Sequence, residues 1–147
     1  MLRLVDNSPT GTPQAYVAWI RNVAGDDTMS VTLYRHDTTP DGAPSCRLWA
    51  HWNDDPSDIN GFYMSAGGNE DYGPGTGWDE VSWTWVVPPS NYDLSLVVEV
   101  RTYSSIDDTV YIDAMTVTAP DGAWITTPQS GSPVESGSWA AIKALYR

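Results

Sequence analysis

Two histidines, nineteen carboxylates, one thiol and a surplus of indoles are this chain's chemical equipment. His36 and His51 stand apart. Neither falls in a His-x-x-x-His or Cys-His spacing that would hold zinc, so each reads as a surface or strand residue. A glycosidase needs two carboxylates facing each other across a cleft. Glu80 and Glu99 fall on extended segments, Glu70 and Asp71 in a long Gly-rich stretch, and their spacing specifies no pair. There is no Gly-x-Ser-x-Gly elbow and no phosphate-cradling Gly-x-x-x-x-Gly-Lys, and Lys143 is the single lysine. "NDDPSD" and "GGNEDYGPG" offer oxygen ligands without the order of an EF-hand loop. No enzyme and no catalytic residue is expected.

The aromatic residues point elsewhere. The chain holds eight Trp and eight Tyr but one Phe. Trp and Tyr carry a polar handle and suit places where one edge stays wet or meets a partner. Sugar rings stack their C–H faces on such rings while carboxylates and amides take the hydroxyls. In "GWDEVSWTWVVPP" (residues 77–89), Val81, Trp83 and Trp85 alternate onto one face. In "LWAHW", Leu48, Ala50 and Trp52 oppose Trp49 and His51. Each row is either a core row or a binding platform, and exposure decides which. Trp49, Trp52, Tyr63, Tyr72, Trp83 and Trp85 are the candidates for contact with a glycan or a protein partner.

The elements that must position them are strands. Turn residues punctuate the chain at short intervals, and segments rich in Val, Thr, Tyr, Trp and Ile lie between them. Strands are predicted at about Leu2–Val5, Gln14–Asn22, Met29–Arg35, Arg47–Trp52, Gly61–Met64, Glu80–Val87, Leu94–Tyr103 and Thr109–Thr118. This is the pattern of an all-β sandwich or barrel. Leu96, Val98 and Val100 share one face, and Ser95, Val97, Glu99 and Arg101 a wetter one. The link Ser104–Asp108 suits an antiparallel hairpin between the last two strands. The Gly- and Asp-rich stretch 53–77 reads as a long loop, functional or packed on its own side chains.

Charge and length narrow the class further. A length of 147 residues suits one domain. A formal charge of −12 repels phosphate backbones and anionic membranes, so neither nucleic acid nor membrane is an expected partner. Much of that charge is Asp in turns, where it bonds its own backbone. Cys46 is alone, so no internal disulfide forms. The N-terminus lacks the pattern of a signal peptide. Synthesis in the cytoplasm without a leader is expected, or else origin as a module of a larger secreted chain. From residue 119 on, a polar spacer leads to "WAAIKALYR". There Trp139, Ile142 and Tyr146 fall at helical spacing, and a final strand fits equally; either suits docking on the domain or on a neighbouring subunit.

Three segments in order carry a resemblance: "YVAWIRNVAGDDTMSVTLYRHD", "GTGWDEVSWTWVVPPSNYDLSLVVEV" and "DDTVYIDAMTVTAP". Together they resemble the latter two-thirds of a jelly-roll carbohydrate-binding module, over roughly Leu2 to Pro120. The matching features are Trp19–Arg21, Gly77–Pro88 and Val110–Asp113. The resemblance implies a jelly-roll β-sandwich of two antiparallel sheets over residues 1–120, with residues 121–147 as a C-terminal extension. It implies a packing role for Trp78. Similar domains occur in minor tail and adhesion proteins of bacteriophages, notably those of actinobacteria. A non-catalytic virion protein follows as the expectation, a capsid decoration or minor tail component. Its partners would be copies of itself or other virion proteins, and host cell-surface polysaccharide its ligand. The alternative is a carbohydrate-binding module of a secreted polysaccharide-degrading enzyme. The family's structural calcium uses an opening "N-P-x-F-E"-like strand with an aspartate matching Asp113. That strand is missing here, so no cofactor is expected: Asp113 is a ligand only if a structural calcium is present, and otherwise braces a turn. The missing strand also leaves a sheet edge to be covered.

Overall fold

The computed structural model describes residues 1–5, 14–37, 46–70, 77–91, 93–102 and 109–127. Nine strands are found among them: β1 (Leu2–Val5), β2 (Gln14–Arg21), β3 (Thr28–Asp37), β4 (Cys46–Asn53), β5 (Met64–Gly68), β6 (Gly77–Val86), β7 (Ser95–Thr102), β8 (Thr109–Thr118) and β9 (Trp124–Thr126). No helix lies among the described residues, so none there is long and apolar enough to cross a membrane.

The strands form two antiparallel sheets, ordered β1-β8-β3-β6 and β5-β4-β7-β2-β9. Apart from β9, this is the order of an eight-stranded jelly roll, in which the chain passes from sheet to sheet and only β4–β5 is a hairpin within one. The fold expected from the sequence is therefore the one found. The inner faces make the core: Ile20, Met29, Val31, Leu33, Leu48, Leu96, Val98 and Val100 are all buried to 1 % exposure or less. Removing that much apolar surface from water is the main force closing the sandwich. A buried arginine ties the sheets together. Arg35 of β3 donates through Nε and Nη2 to Asp79 Oδ2 on β6, at 3.0 and 2.6 Å, and through Nη1 to the carbonyl of Cys46 on β4. Trp85 of β6 also crosses the sandwich, donating its indole N–H to the Gly67 carbonyl at 3.0 Å.

Several expectations need correction. β7 and β8 are not a hairpin, because they belong to different sheets. The fifth strand runs Met64–Gly68 rather than Gly61–Met64. Its glycines disguise it: a Cβ on Gly68 would stand 2.1 Å from the Leu48 carbonyl oxygen, and Gly67 has φ +75° beside a bulge. The segment before it is a knot of turns. Asn53 Oδ1 accepts from the Asp55 N–H, Asp55 Oδ1 from Ser57, and Asp58 Oδ1 from Asn60, as Asx chemistry predicts. Strand β9 was not foreseen; it pairs with β2 through Trp19↔Thr126 and Arg21↔Trp124. A cavity of about 200 Å³ opens beside these edges, lined by Leu2, Val17, Ile112, Met115 and Ile125 among others.

Candidate functional site

The alternation that sends Leu96, Val98 and Val100 inward turns Ser95, Val97, Glu99 and Arg101 to the outer face of the five-stranded sheet. Register then assembles the site row by row. Arg101 lies between Gln14 and Arg47, and Glu99 between Tyr16 and Trp49. Val97 lies between Trp19 and His51, with Thr126 beyond Trp19. A bulge at Val17 in β2 restores the phase, so that Tyr16, Trp19 and Arg21 all face outward while Val17 and Ala18 join the core.

This face is not the wetter one that its polar residues suggest. Ser95, Val97 and Glu99 are 3 %, 0 % and 0 % exposed. Large side chains from the neighbouring strands surround them. His51 packs against Tyr16 and Phe62, each at 5.5 Å between ring centroids. The Arg47 guanidinium lies over the Trp49 ring at 4.2 Å and Arg101 lies 5.0 Å from the same ring. Arg21 lies over Trp19 at 4.3 Å and within 5.9 Å of Trp124. The Trp19 indole donates to Ser95 Oγ at 2.8 Å, and Arg21 Nη2 to Thr126 Oγ1 at 3.2 Å. Beside these stand more open rings: Phe62 is 64 % and Trp124 62 % exposed.

Beneath the aromatics lies one carboxylate. Glu99 Oε1 accepts from Arg101 Nη2 at 3.1 Å and lies 3.3 Å from His51 Nδ1. Burial pushes the Glu99 carboxyl up, but the hydrogen bonds and charges of His51 and Arg101 outweigh it and hold the group below the ordinary range. Glu99 Oε2 and His51 Nε2 are buried with no hydrogen-bond partner. Neighbouring Tyr16 is raised, by burial first and then by the charge of Glu99. No second carboxylate stands on the strand positions of this face, so the pair that glycoside hydrolysis needs is not assembled there.

Of the candidates read from the sequence, Trp49 is on this face. Tyr63 stands in the loop leading to β5, 56 % exposed, its N–H on the Trp52 carbonyl. Trp52 and Trp85, 4 % and 3 % exposed, lie in the core, which takes them off any binding surface. Trp83 is at the edge of the other sheet, 39 % exposed. Trp78 is no packing ring. It is 52 % exposed, on the outer face of the four-stranded sheet, edge-on to His36 at 5.1 Å. Tyr72, Trp139, Ile142 and Tyr146 lie outside the described residues. Trp19, Tyr16 and Trp124 were missed as site residues. For Trp19 and Tyr16 the readable signal was their spacing, but a bulge breaks it; Trp124 needs the unforeseen β9.

Asp113 accepts from the N–H of Ala114 at 2.9 Å, where Ala114 takes φ 48° in a bulge opposite β3. The Met1 ammonium lies 3.4 Å away. That backbone bond first, then the ammonium, lowers the Asp113 carboxyl. Among the described residues no three His, Cys, Asp or Glu gather as metal ligands.

No protein-family model and no curated protein matches the chain. Among solved structures it is similar to one titled "Family 16 Carbohydrate Binding Module-2", at 14 % identity and a TM-score of 0.46, over 79 % of this chain and 74 % of that one.

Proposed function

We propose that this chain is a non-catalytic carbohydrate-binding jelly roll whose ligand lies across the outer face of the five-stranded sheet. One observation carries the reading. Tyr16, Trp19 and Trp49 stand in adjacent rows of that face, Phe62 and Trp124 are exposed beside it, and polar groups lie between them. Amphipathic rings interleaved with donors and acceptors suit a ligand that is apolar on its ring faces and polar at its rim.

The test is affinity electrophoresis against a panel of soluble polysaccharides, with Trp124→Ala as the variant. Trp124 is well exposed, so the fold should survive its loss. Retardation by at least one polysaccharide, weakened about tenfold in the variant, is expected. A chain that no polysaccharide retards would refute the reading.

The sequence resemblance supplies the setting: a bacteriophage particle meeting host surface glycans, with a module of a secreted polysaccharide-degrading enzyme as the alternative. The two share this face. They differ in whether the chain assembles with virion proteins, which co-sedimentation with phage particles decides.

A further inference from the structure

The strand positions of the candidate face carry the sign of charge opposite to that of the chain, with Asp58 of the adjoining loop as an acidic neighbour of Tyr16. The protein has seven basic residues against nineteen acidic ones. Five of the seven, Arg3, Arg21, Arg35, Arg47 and Arg101, lie among the described residues. Arg35 is spent inside the sandwich on Asp79. Three of the remaining four stand on this one face, which has a single carboxylate on its strands, and that carboxylate is fully buried. Each of the three guanidiniums lies against an indole. Stacking engages the flat side of a guanidinium and leaves its in-plane N–H fork turned to the side. Five donors let one guanidinium serve a protein partner and a ligand together. The indoles therefore do not present bare rings; they hold cations in place.

Resting on the glycan-binding reading above, we propose that the ligand is an anionic glycan chain, whose ring-borne carboxylate or sulfate groups are taken by Arg21 at one end of the face and by Arg47 and Arg101 at the other. The two ends are separated along β7 by six residues, from Ser95, next to the Leu96 that pairs with Ile20 and so level with Arg21, to Arg101. At about 3.3 Å per residue this is about 20 Å, the length of several sugar units rather than one. Longer chains thus engage both ends and bind more tightly than short ones. Repulsion by the acidic remainder of the protein is cut down beyond about 8 Å at physiological ionic strength, so the local sign governs contact.

Matched pairs of polymers test this in the full chain: polygalacturonate against its carboxyl-reduced form, and dextran sulfate against dextran. The charged member of at least one pair should bind at least about tenfold more tightly; which pair responds separates carboxylate from sulfate. In Arg21→Gln/Arg47→Gln, with folding checked by near-UV circular dichroism, that ratio should collapse toward one. Equal binding of charged and neutral members, or neutral glycans bound alone, overturns the inference and leaves the glycan reading standing. Equal binding of poly-glutamate and polygalacturonate would mean that charge alone is read, and no binding to any polymer removes both readings.

Discussion

Glu99 is where the site and the fold share one side chain. Its carboxyl is buried between Tyr16 and Trp49 and held charged by Arg101 and His51. Because the folded protein holds this group below its ordinary value of 4.5, the pair stabilises the fold above that pH, and the contribution is lost as pH falls through the lowered value. Glu99→Gln should cost about 1–3 kcal/mol at neutral pH, and the gap from the parent should close in acid. Thermal unfolding of both chains from pH 7 downward checks the sign; a gap that widens in acid would show that the carboxyl is not held charged. Sequence reading set Glu99 on a wetter face. Alternation alone cannot tell a solvated face from one roofed by Trp, Tyr and Arg side chains.

At the scale of elements, β4 and β5 meet more closely than side chains allow. A Cβ on Gly68 would fall 2.1 Å from the Leu48 carbonyl oxygen and 2.7 Å from Trp49 Cα. Backbone must move to admit it, and Trp49 sits on that backbone. Gly68→Ala should therefore destabilise the chain by at least about 1 kcal/mol and weaken glycan binding together, read by denaturant unfolding and affinity electrophoresis. Unchanged stability would mean that β5 lies elsewhere. The elements were largely legible beforehand: β1 and β8 match their expected limits, and β2, β3, β4, β6 and β7 differ only at their ends. Strands rich in Val, Trp and Thr declare themselves by period two, as β7 does. β5 did not, because "MSAGG" has turn composition, and β9 did not, because three residues are too few for a period. The pairing of neighbouring strands was misread where the jelly roll sends each to the opposite sheet, a property of the whole topology that local pattern does not carry.

Apolar burial and a buried cation hold the two sheets together. Arg35 is 1 % exposed, and Asp79, with a side chain about a third exposed, is its carboxylate. Asp79→Ala strands a guanidinium in the core and should cost about 3 kcal/mol, the low end for a broken buried pair because Asp79 is partly open. Denaturant unfolding measures it. A loss under about 0.5 kcal/mol would mean that the other partners of Arg35, the Cys46 carbonyl among them, satisfy it. This pair, which holds within its own sheet the arginine that reaches across to Cys46, could not be found in the sequence: Arg35 and Asp79 are 44 positions apart, and neither type nor spacing marks them as partners.

The pairing of β1 with β8 sets the order in which the protein can be made. Leu2 lies opposite Ile112 and Val5 opposite Thr109, so β1 leaves the ribosome more than a hundred residues before the strand that covers it. Every strand between them except β5 also pairs with a strand distant in the chain. Such topologies close slowly, over milliseconds to seconds, because loop entropy must be overcome before any contact repays it. Until β8 emerges, β1 and the flank of β3 that β8 covers remain unpaired edges, the kind through which unfinished β-proteins aggregate.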